Sequence, residues 1–288
     1  MTRTPCTSIS VSDTATWVAM YRAIESERPD ALFHDPYARR LAGEQGEELL
    51  RRMPQARQYA GPMIVRTAAM DELIEELIER EGIDVVVNLA AGLDARPYRM
   101  QLPGNLQWVE ADFPRMIEEK SKALAGETPH CQLERIGVDL ADRAARRALF
   151  DRVGAMGTNG LAISEGLLVY LSSAHVTELA QDLAAQPTFR FWITDIASPL
   201  VLKMMKRTWS RQFAADSTSF QFAPKEGAAF FAPYGWHLER YRSVFLDLSR
   251  YHREPSMMWL WRLFFPRWAR HEINKRMGPM TGTLLLSR

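Results

Sequence analysis

The stretch that most limits what this chain can fold into is Asp84-Val85-Val86-Val87-Asn88-Leu89-Ala90-Ala91-Gly92-Leu93-Asp94-Ala95-Arg96. Three β-branched residues lead into small residues, one glycine and an acid. A short, nearly continuous apolar run bounded by a turn signal reads as a strand buried on both faces, the mark of a parallel sheet covered by helices. Twenty residues after Gly92, Asp112 ends a second apolar run that begins at Leu106. A glycine turn after the first strand, with an acid about 20 residues on, is the nucleoside-binding geometry of a Rossmann-type half, where the acid accepts from ribose hydroxyls.

The turn also discriminates between nucleosides. A dinucleotide turn uses G-x-G-x-x-G, so that backbone can approach a pyrophosphate lying at a helix N-terminus. The matching positions here are Ala90, Gly92 and Ala95, and Asp94 adds negative charge where the pyrophosphate would sit. Two anions at one helix start repel. A cofactor with ribose and adenine but no phosphate fits better, and S-adenosylmethionine is one.

The 288 residues are 47% hydrophobic and 25% charged, enough for one α/β core, and a net charge of +1 gives no argument for nucleic acid as a general partner, so none is expected. Cys6 and Cys131 have neither CxxC spacing nor metal-ligand company, so no metal site and a reducing compartment are expected. The N-terminus lacks an apolar signal region and no run reaches the length of a spanning helix, so the expected home is the cytoplasm, without membrane insertion.

Along the chain, Ser12 or Asp13 caps a first helix to about Glu27, with Trp17, Tyr21 and Ile24 on one face and Arg22 beside it. Asp35-Pro36 opens a second, which Gly43 stops. Both precede the first strand and so belong outside the sheet, over its ligand-binding edge. Gly61-Pro62 opens a third helix to Glu81, where the spacing 66, 70, 73, 77 sets Arg66 on the buried stripe and in the first turn, against the helix dipole. Snorkelling or a salt bridge accounts for it, or a carboxylate at the pocket does.

Further strands are expected over 130–138, 161–165, 189–195 and 236–245, with a closing strand over 281–287. Helices are expected over 116–124 and 141–153, the latter with Arg143, Arg146 and Arg147 on a solvated face, and one opens near Ser172-Ser173. Acids recur at the carboxyl ends of successive strands: Asp112, Asp139, Glu165 and Asp195. Ligands of open α/β sheets bind outside those ends. Asp112 and Asp139 read as cofactor residues, and Asp195 as a cap for the next helix. The apolar residues of 199–233 lack a clean period and suggest a lid or substrate wall. Met257 to Phe265 is a dense aromatic run, read as core or lid, in a tail with ten Lys/Arg against three acids from Arg240 onward.

Several stretches together resemble the leucine carboxyl methyltransferase family, and more closely its bacterial branch of S-adenosylmethionine-dependent O-methyltransferases, which includes enzymes methylating carboxyl groups of polyketides. They are 14–25; Phe33-His34-Asp35-Pro36-Tyr37-Ala38; Arg66-Thr67 with Asp71; Asn88 to Arg99; Glu110-Ala111-Asp112-Phe113-Pro114; Asp139-Leu140; Glu165 to Leu171; Gly235-Trp236; and Gly282 to Leu286. The resemblance implies a class I methyltransferase fold, a Rossmann-like seven-stranded sheet with the last strand antiparallel. It implies an N-terminal helical cap as well, and with the pattern above the single domain is expected to divide into that cap (1–60), a cofactor-binding core (83–198), a lid (199–233) and closing strands with an aromatic-rich insertion (234–288).

It also implies roles. Arg66 would pair with the methionine or substrate carboxylate, and Gly92 would admit the methionine part. Asp112 would hold the ribose, Asp139 and the Leu140 backbone the adenine, and Glu165 the amino end. Arg22 stands near where the family places a cation. Ala90-Ala91-Gly92 replaces the commoner Gly-Ala-Gly, and alanine at position 90 still permits a close approach.

A sulfonium methyl is already activated, so the protein must align an oxygen nucleophile with it and exclude water. A carboxylate is ionised at neutral pH and needs no base, whereas a phenol benefits from one. No histidine stands in an acid–base constellation, while Arg66 and the Tyr170 hydroxyl suit an anionic oxygen. A carboxylate of a small molecule or peptide is therefore expected ahead of a hydroxyl. A nicotinamide oxidoreductase and a non-catalytic nucleoside-binding protein are the other classes the pattern allows.

Overall fold

The structure, a computed structural model, describes residues 11–52, 60–209, 220–254 and 281–288. Cys6, the 210–219 part of the expected lid and the aromatic run Met257 to Phe265 lie outside the described residues.

Seven strands form one sheet: β1 (Val85–Leu89), β2 (Gln107–Asp112), β3 (Gln132–Gly137), β4 (Gly160–Ser164), β5 (Phe189–Ala197), β6 (His237–Ser243) and β7 (Thr281–Ser287). Their order is β3-β2-β1-β4-β5-β7-β6. β1 to β5 pair in parallel, and β7 lies antiparallel between β5 and β6. The order reverses between β1 and β4, so the crevice at their carboxyl ends is where such a sheet takes its ligand.

The valine run alternates between two cores. Val85, Val87 and Leu89 pack with Leu149, Phe150 and Val153 of α6 (Arg143–Gly154) and with Val176, Leu179 and Leu183 of α7 (Ser173–Ala185). Val86 packs with Met70, Leu73, Ile74 and Leu77 of α3 (Ala60–Glu81) on the other face. This two-sided burial is what a strand without polar alternation predicts. A third core joins α1 (Val11–Ser26) and α2 (Ala38–Arg52) to Ile64 and Ala68 of α3, to Leu93 and Ala95 just past β1, to Tyr98 of the short α4 (Arg96–Arg99) and to Met116 of α5 (Pro114–Ala123). The N-terminal helices thus sit over the first turn, as expected.

Gly43 breaks the helix as expected: the backbone turns to φ 57°, ψ −168° there, and a second helical segment, with Leu50 buried, runs on to Arg52. Three local expectations are corrected. α3 begins at Ala60, which puts Arg66 beyond the first turn. The sixth strand ends at Ser243, where its pairing with Gly282 ends, and the chain turns into α9 (Val244–Arg250), whose Val244 and Leu248 pack on Val65. Arg146 is not solvated but buried, donating to Asp182 at 2.6 Å and to the Leu140 carbonyl at 2.7 Å. Arg143 shares Asp182 while remaining exposed, and Arg147, also exposed, lies 3.9 Å from it.

β7 tolerates no side chain at Gly282. A Cβ there would lie 2.5 Å from the Arg242 carbonyl oxygen and 2.6 Å from the Tyr241 ring. Gly282→Ala is expected to cost about 2 kcal/mol of stability through overpacking between three paired strands, read as a lower urea midpoint at unchanged slope. A midpoint equal to wild type would mean that β6 and β7 are not locked in this register.

Candidate functional site

The turn after β1 takes its shape from two left-handed residues, Ala90 (φ 52°) and Gly92 (φ 47°). Gly92 needs its missing side chain twice over: that φ favours glycine, and a Cβ would reach 3.3 Å from the Ala15 Cβ of α1. Its N–H donates to Asp112 Oδ2 at 2.7 Å, and the Phe113 N–H donates to Asp112 Oδ1 at 2.7 Å. Asp112 is thereby pinned at the β2 tip with lone pairs to spare. Burial pushes its carboxyl above the ordinary aspartate range, against the pull of those two amides. Arg22 clamps the turn from α1, its Nη2 donating to the Leu93 carbonyl at 2.5 Å and its Nε to Asp35 at 2.8 Å.

Asp139 stands exposed past the β3 tip, accepting from the Ala141 N–H at 2.9 Å. The Val138 N–H meets the Asp112 carbonyl at 2.8 Å, so Asp139 and Leu140 continue along the same edge as Asp112.

Across the crevice, Glu165 follows β4 and gathers cations. Arg66 Nε donates to its Oε1 at 3.1 Å, Thr67 Oγ1 to the same atom at 3.1 Å, and Arg96 Nη1 lies 2.8 Å from Oε2. Burial would raise the Glu165 carboxyl, but Arg96 and Arg66 overcome it and hold the group down at about 2. Arg66 Nη1 also donates to Asp195 Oδ2 at 3.2 Å. Asp195 is therefore not the helix cap expected of it. It lies inside β5, accepts the Gly166 N–H at 2.6 Å, and leaves Ser198 to receive the Val201 N–H at the start of α8 (Pro199–Trp209). Burial raises the Asp195 carboxyl despite Arg66, and Glu165 adds to the rise. Arg66 stays cationic, since Asp195 and Glu165 outweigh its desolvation.

Tyr170 is close enough to feel Arg66, Asp195 and a hydrogen bond with Thr14, and its phenol is raised by burial. Its ring lies 5.4 Å from that of Phe220, and the Gln221 N–H bonds the Val169 carbonyl at 2.7 Å. A cavity of about 390 Å³ opens elsewhere, walled by Gly43, Leu93 and Met116, and none of the four rim acids lines it.

Sequence reasoning missed the buried lattice beneath this site. Arg96, 1% exposed, donates from Nε to Asp71 Oδ1 at 2.7 Å and from Nη1 to Asp94 Oδ2 at 2.8 Å. Arg99 pairs with Asp71 at 2.7 Å, and Asn88 Nδ2 donates to Asp94 at 2.8 Å. Asp94 is held far below its ordinary value: burial opposes this, and Arg96 leads the cations that outweigh it. A signal existed for Asp71, which lies one helical turn past Thr67 on the apolar stripe of α3.

The leucine carboxyl methyltransferase family model matches residues 15–184, more than half of the chain. A Streptomyces coelicolor protein with the provisional name S-adenosyl-L-methionine-dependent methyltransferase is 32% identical over 255 residues, covering 80% of this chain and 86% of that one. A Mycolicibacterium smegmatis protein with the same provisional name is 37% identical over 193 residues, covering 61% of this chain and 62% of that one. Among solved structures, a duf574 family protein of Streptomyces avermitilis aligns with TM-score 0.57 at 13% identity, over 94% of this chain and 96% of that one. A provisionally assigned methyltransferase of Thermobifida fusca gives 0.56 at 14% identity, over 94% of each chain. These two likenesses bear on the fold, in which β7 runs antiparallel beside five parallel strands. Among the described residues no helix is long and apolar enough to cross a membrane. The chain belongs to the leucine carboxyl methyltransferase family, as an enzyme that takes its methyl group from S-adenosylmethionine.

Proposed function

We propose that this methyltransferase acts on an oxygen nucleophile, and that the acceptor is a carboxylate of a small molecule or peptide. The cofactor fits the donor set at the sheet tips. Asp112 offers an ionised oxygen pair for the ribose diol, Asp139 and the Leu140 backbone border the adenine, and Ala90 and Gly92 leave room over the turn. Glu165 takes the ammonium. Asp71, Asp94, Asp112, Glu165 and Asp195 outnumber Arg66, Arg96 and Arg99, an excess of negative charge that suits a sulfonium and an ammonium and repels a diphosphate. This argues against a nicotinamide cofactor. Arg22 acts on the turn through its bond to Leu93.

The observation that carries the acceptor reading is Arg66. Glu165 and Asp195 hold its Nε and Nη1 and fix the guanidinium plane, while Nη2 is left for a further acceptor beside the Tyr170 phenol. A carboxylate oxygen gripped there needs no proton removed. S-adenosylmethionine, held by Asp112 and Glu165, would supply an activated methyl group to that oxygen, giving a methyl ester and leaving as S-adenosylhomocysteine. Phe220, whose ring lies beside that of Tyr170, would wall the acceptor. A hydroxyl acceptor is the second reading, favoured by Asp195, whose raised carboxyl could take its proton.

The test is transfer from methyl-labelled cofactor to paired acids and alcohols, followed by mild alkali. Ester label is expected to leave as methanol. Label that survives alkali is an ether, and would move the assignment to a hydroxyl.

A further inference from the structure

Arg96 has no place in the roles above, yet it is the most heavily engaged cation in the crevice. It is 1% exposed and meets three carboxylates from three elements: Asp71 of α3, Asp94 of the turn and Glu165 of the β4 tip. Its own N–H is fixed as well, donating to Asp94 Oδ1 at 2.9 Å. Nη2 is buried without a partner, so the guanidinium is placed by its other contacts at the cost of one unmade hydrogen bond. A planar fork can hold several carboxylates in fixed directions, which an ammonium cannot.

We propose that Arg96 is a positioning residue that fixes Glu165 toward the amino-acid end of the cofactor without touching the cofactor itself. This rests on the reading of Glu165 as the partner of the cofactor's ammonium. Around Glu165 stand Arg66 and Thr67 of α3, Arg96 and Asp94 of the turn, and Asp195 of β5, with Asp71 and Tyr170 beyond them. Arg96 is the first of these cations acting against burial. Without it, burial and the Asp94 charge raise the Glu165 carboxyl, and a proton there removes the negative partner of the ammonium. Arg96 and Arg66 hold the Glu165 carboxyl in the native protein at about 2, well below the mildly acidic range. Affinity for a ligand that carries the amino-acid end, taken relative to one that lacks it, should therefore be flat from mildly acidic to mildly alkaline pH in the wild type, and should fall with falling pH once Arg96 is gone.

The experiment measures binding of S-adenosylhomocysteine and of 5′-methylthioadenosine, which keeps the adenosine and thioether but lacks the amino-acid end. Arg96→Gln is expected to weaken S-adenosylhomocysteine about 30-fold at pH 7, the loss of one charge-assisted contact, and more at lower pH. 5′-Methylthioadenosine should bind both proteins equally. Glu165→Gln should show the same loss without the pH slope, and adding Arg96→Gln to it should cost nothing more. Arg96→Lys keeps a cation for the carboxylates, and is expected to fold even where Arg96→Gln does not, with an intermediate loss. Equal weakening of both ligands, or a flat pH profile in the Arg96 variants, overturns the proposal. A wild type that binds neither ligand would instead overturn the cofactor site on which it rests.

Discussion

Asp112→Ala is expected to bind S-adenosylmethionine between one hundred and one thousand times more weakly than the wild type, on the order of 3–4 kcal/mol. The carboxylate is held by the Gly92 and Phe113 N–H groups at 2.7 Å each, so neither oxygen can rotate away and both keep lone pairs for a ribose diol. Two hydrogen bonds to a charged acceptor account for the size of the loss. Because the ribose is common to both ligands, 5′-methylthioadenosine should weaken in parallel, unlike its behaviour with Arg96→Gln. Asp112→Asn, which can accept one bond but carries no charge, should fall between. Burial raises the Asp112 carboxyl, so acid protonates it earlier than an ordinary aspartate, and wild-type affinity should decline as pH falls toward that raised value. Gly92→Asp should be as damaging by another route. It forces a side chain into φ 47°, crowds Ala15 and sets an anion beside Asp112. Calorimetric titration of each variant gives the answer, and affinities within threefold of wild type in both would remove the nucleoside from this turn.

The strand, glycine turn and distant acid were legible because each is a local pattern: β1 is buried at all five positions, as an unbroken apolar run requires. What could not be read was pairing. Arg66 meets Glu165 and Asp195 across 99 and 129 residues, and no spacing rule connects them. Asp195 was misread for a related reason. Its neighbours Ser198 and Pro199 announce a helix, but β7 pairs with β5 as far as Thr281 opposite Ala197, and this ladder carries the strand past the acid into the crevice. On the other side of β7, its ladder with β6 ends the sixth strand at Ser243, short of the expected Phe245. Gly43 shows a local rule that holds: its backbone leaves the helix, and what the glycine does not announce is the further helical segment to Arg52, which packs with α1. The arginines of α6 looked solvated because three cations on one helix usually are, and Asp182 on α7 is the partner that draws Arg146 inside.

The second large effect is expected at Arg66, and it separates two roles that a single variant would merge. Arg66→Met leaves Glu165 and Asp195 buried together with one fewer cation between them, which should cost roughly 3–5 kcal/mol of stability near neutral pH. The deficit has a definite pH dependence. Glu165 in the native protein titrates at about 2, below its unfolded value of 4.5. Its stabilisation is full above that unfolded value and is lost only as pH falls toward about 2. Asp195 runs the other way: its carboxyl is raised, so its ionisation works against folding, and without Arg66 it rises further. The gap between wild type and Arg66→Met, measured by urea unfolding, should therefore narrow as pH drops through the Asp195 value. Arg66→Lys restores a charge but not the fork that holds Glu165 and Asp195 while presenting a third N–H group. It is expected to recover most of the stability and yet lose kcat by about one hundredfold, the usual cost of one oriented donor at a reacting oxygen. A lysine variant that recovers stability and turnover together would make Arg66 a structural counter-ion, and the acceptor oxygen would have to be held by something else.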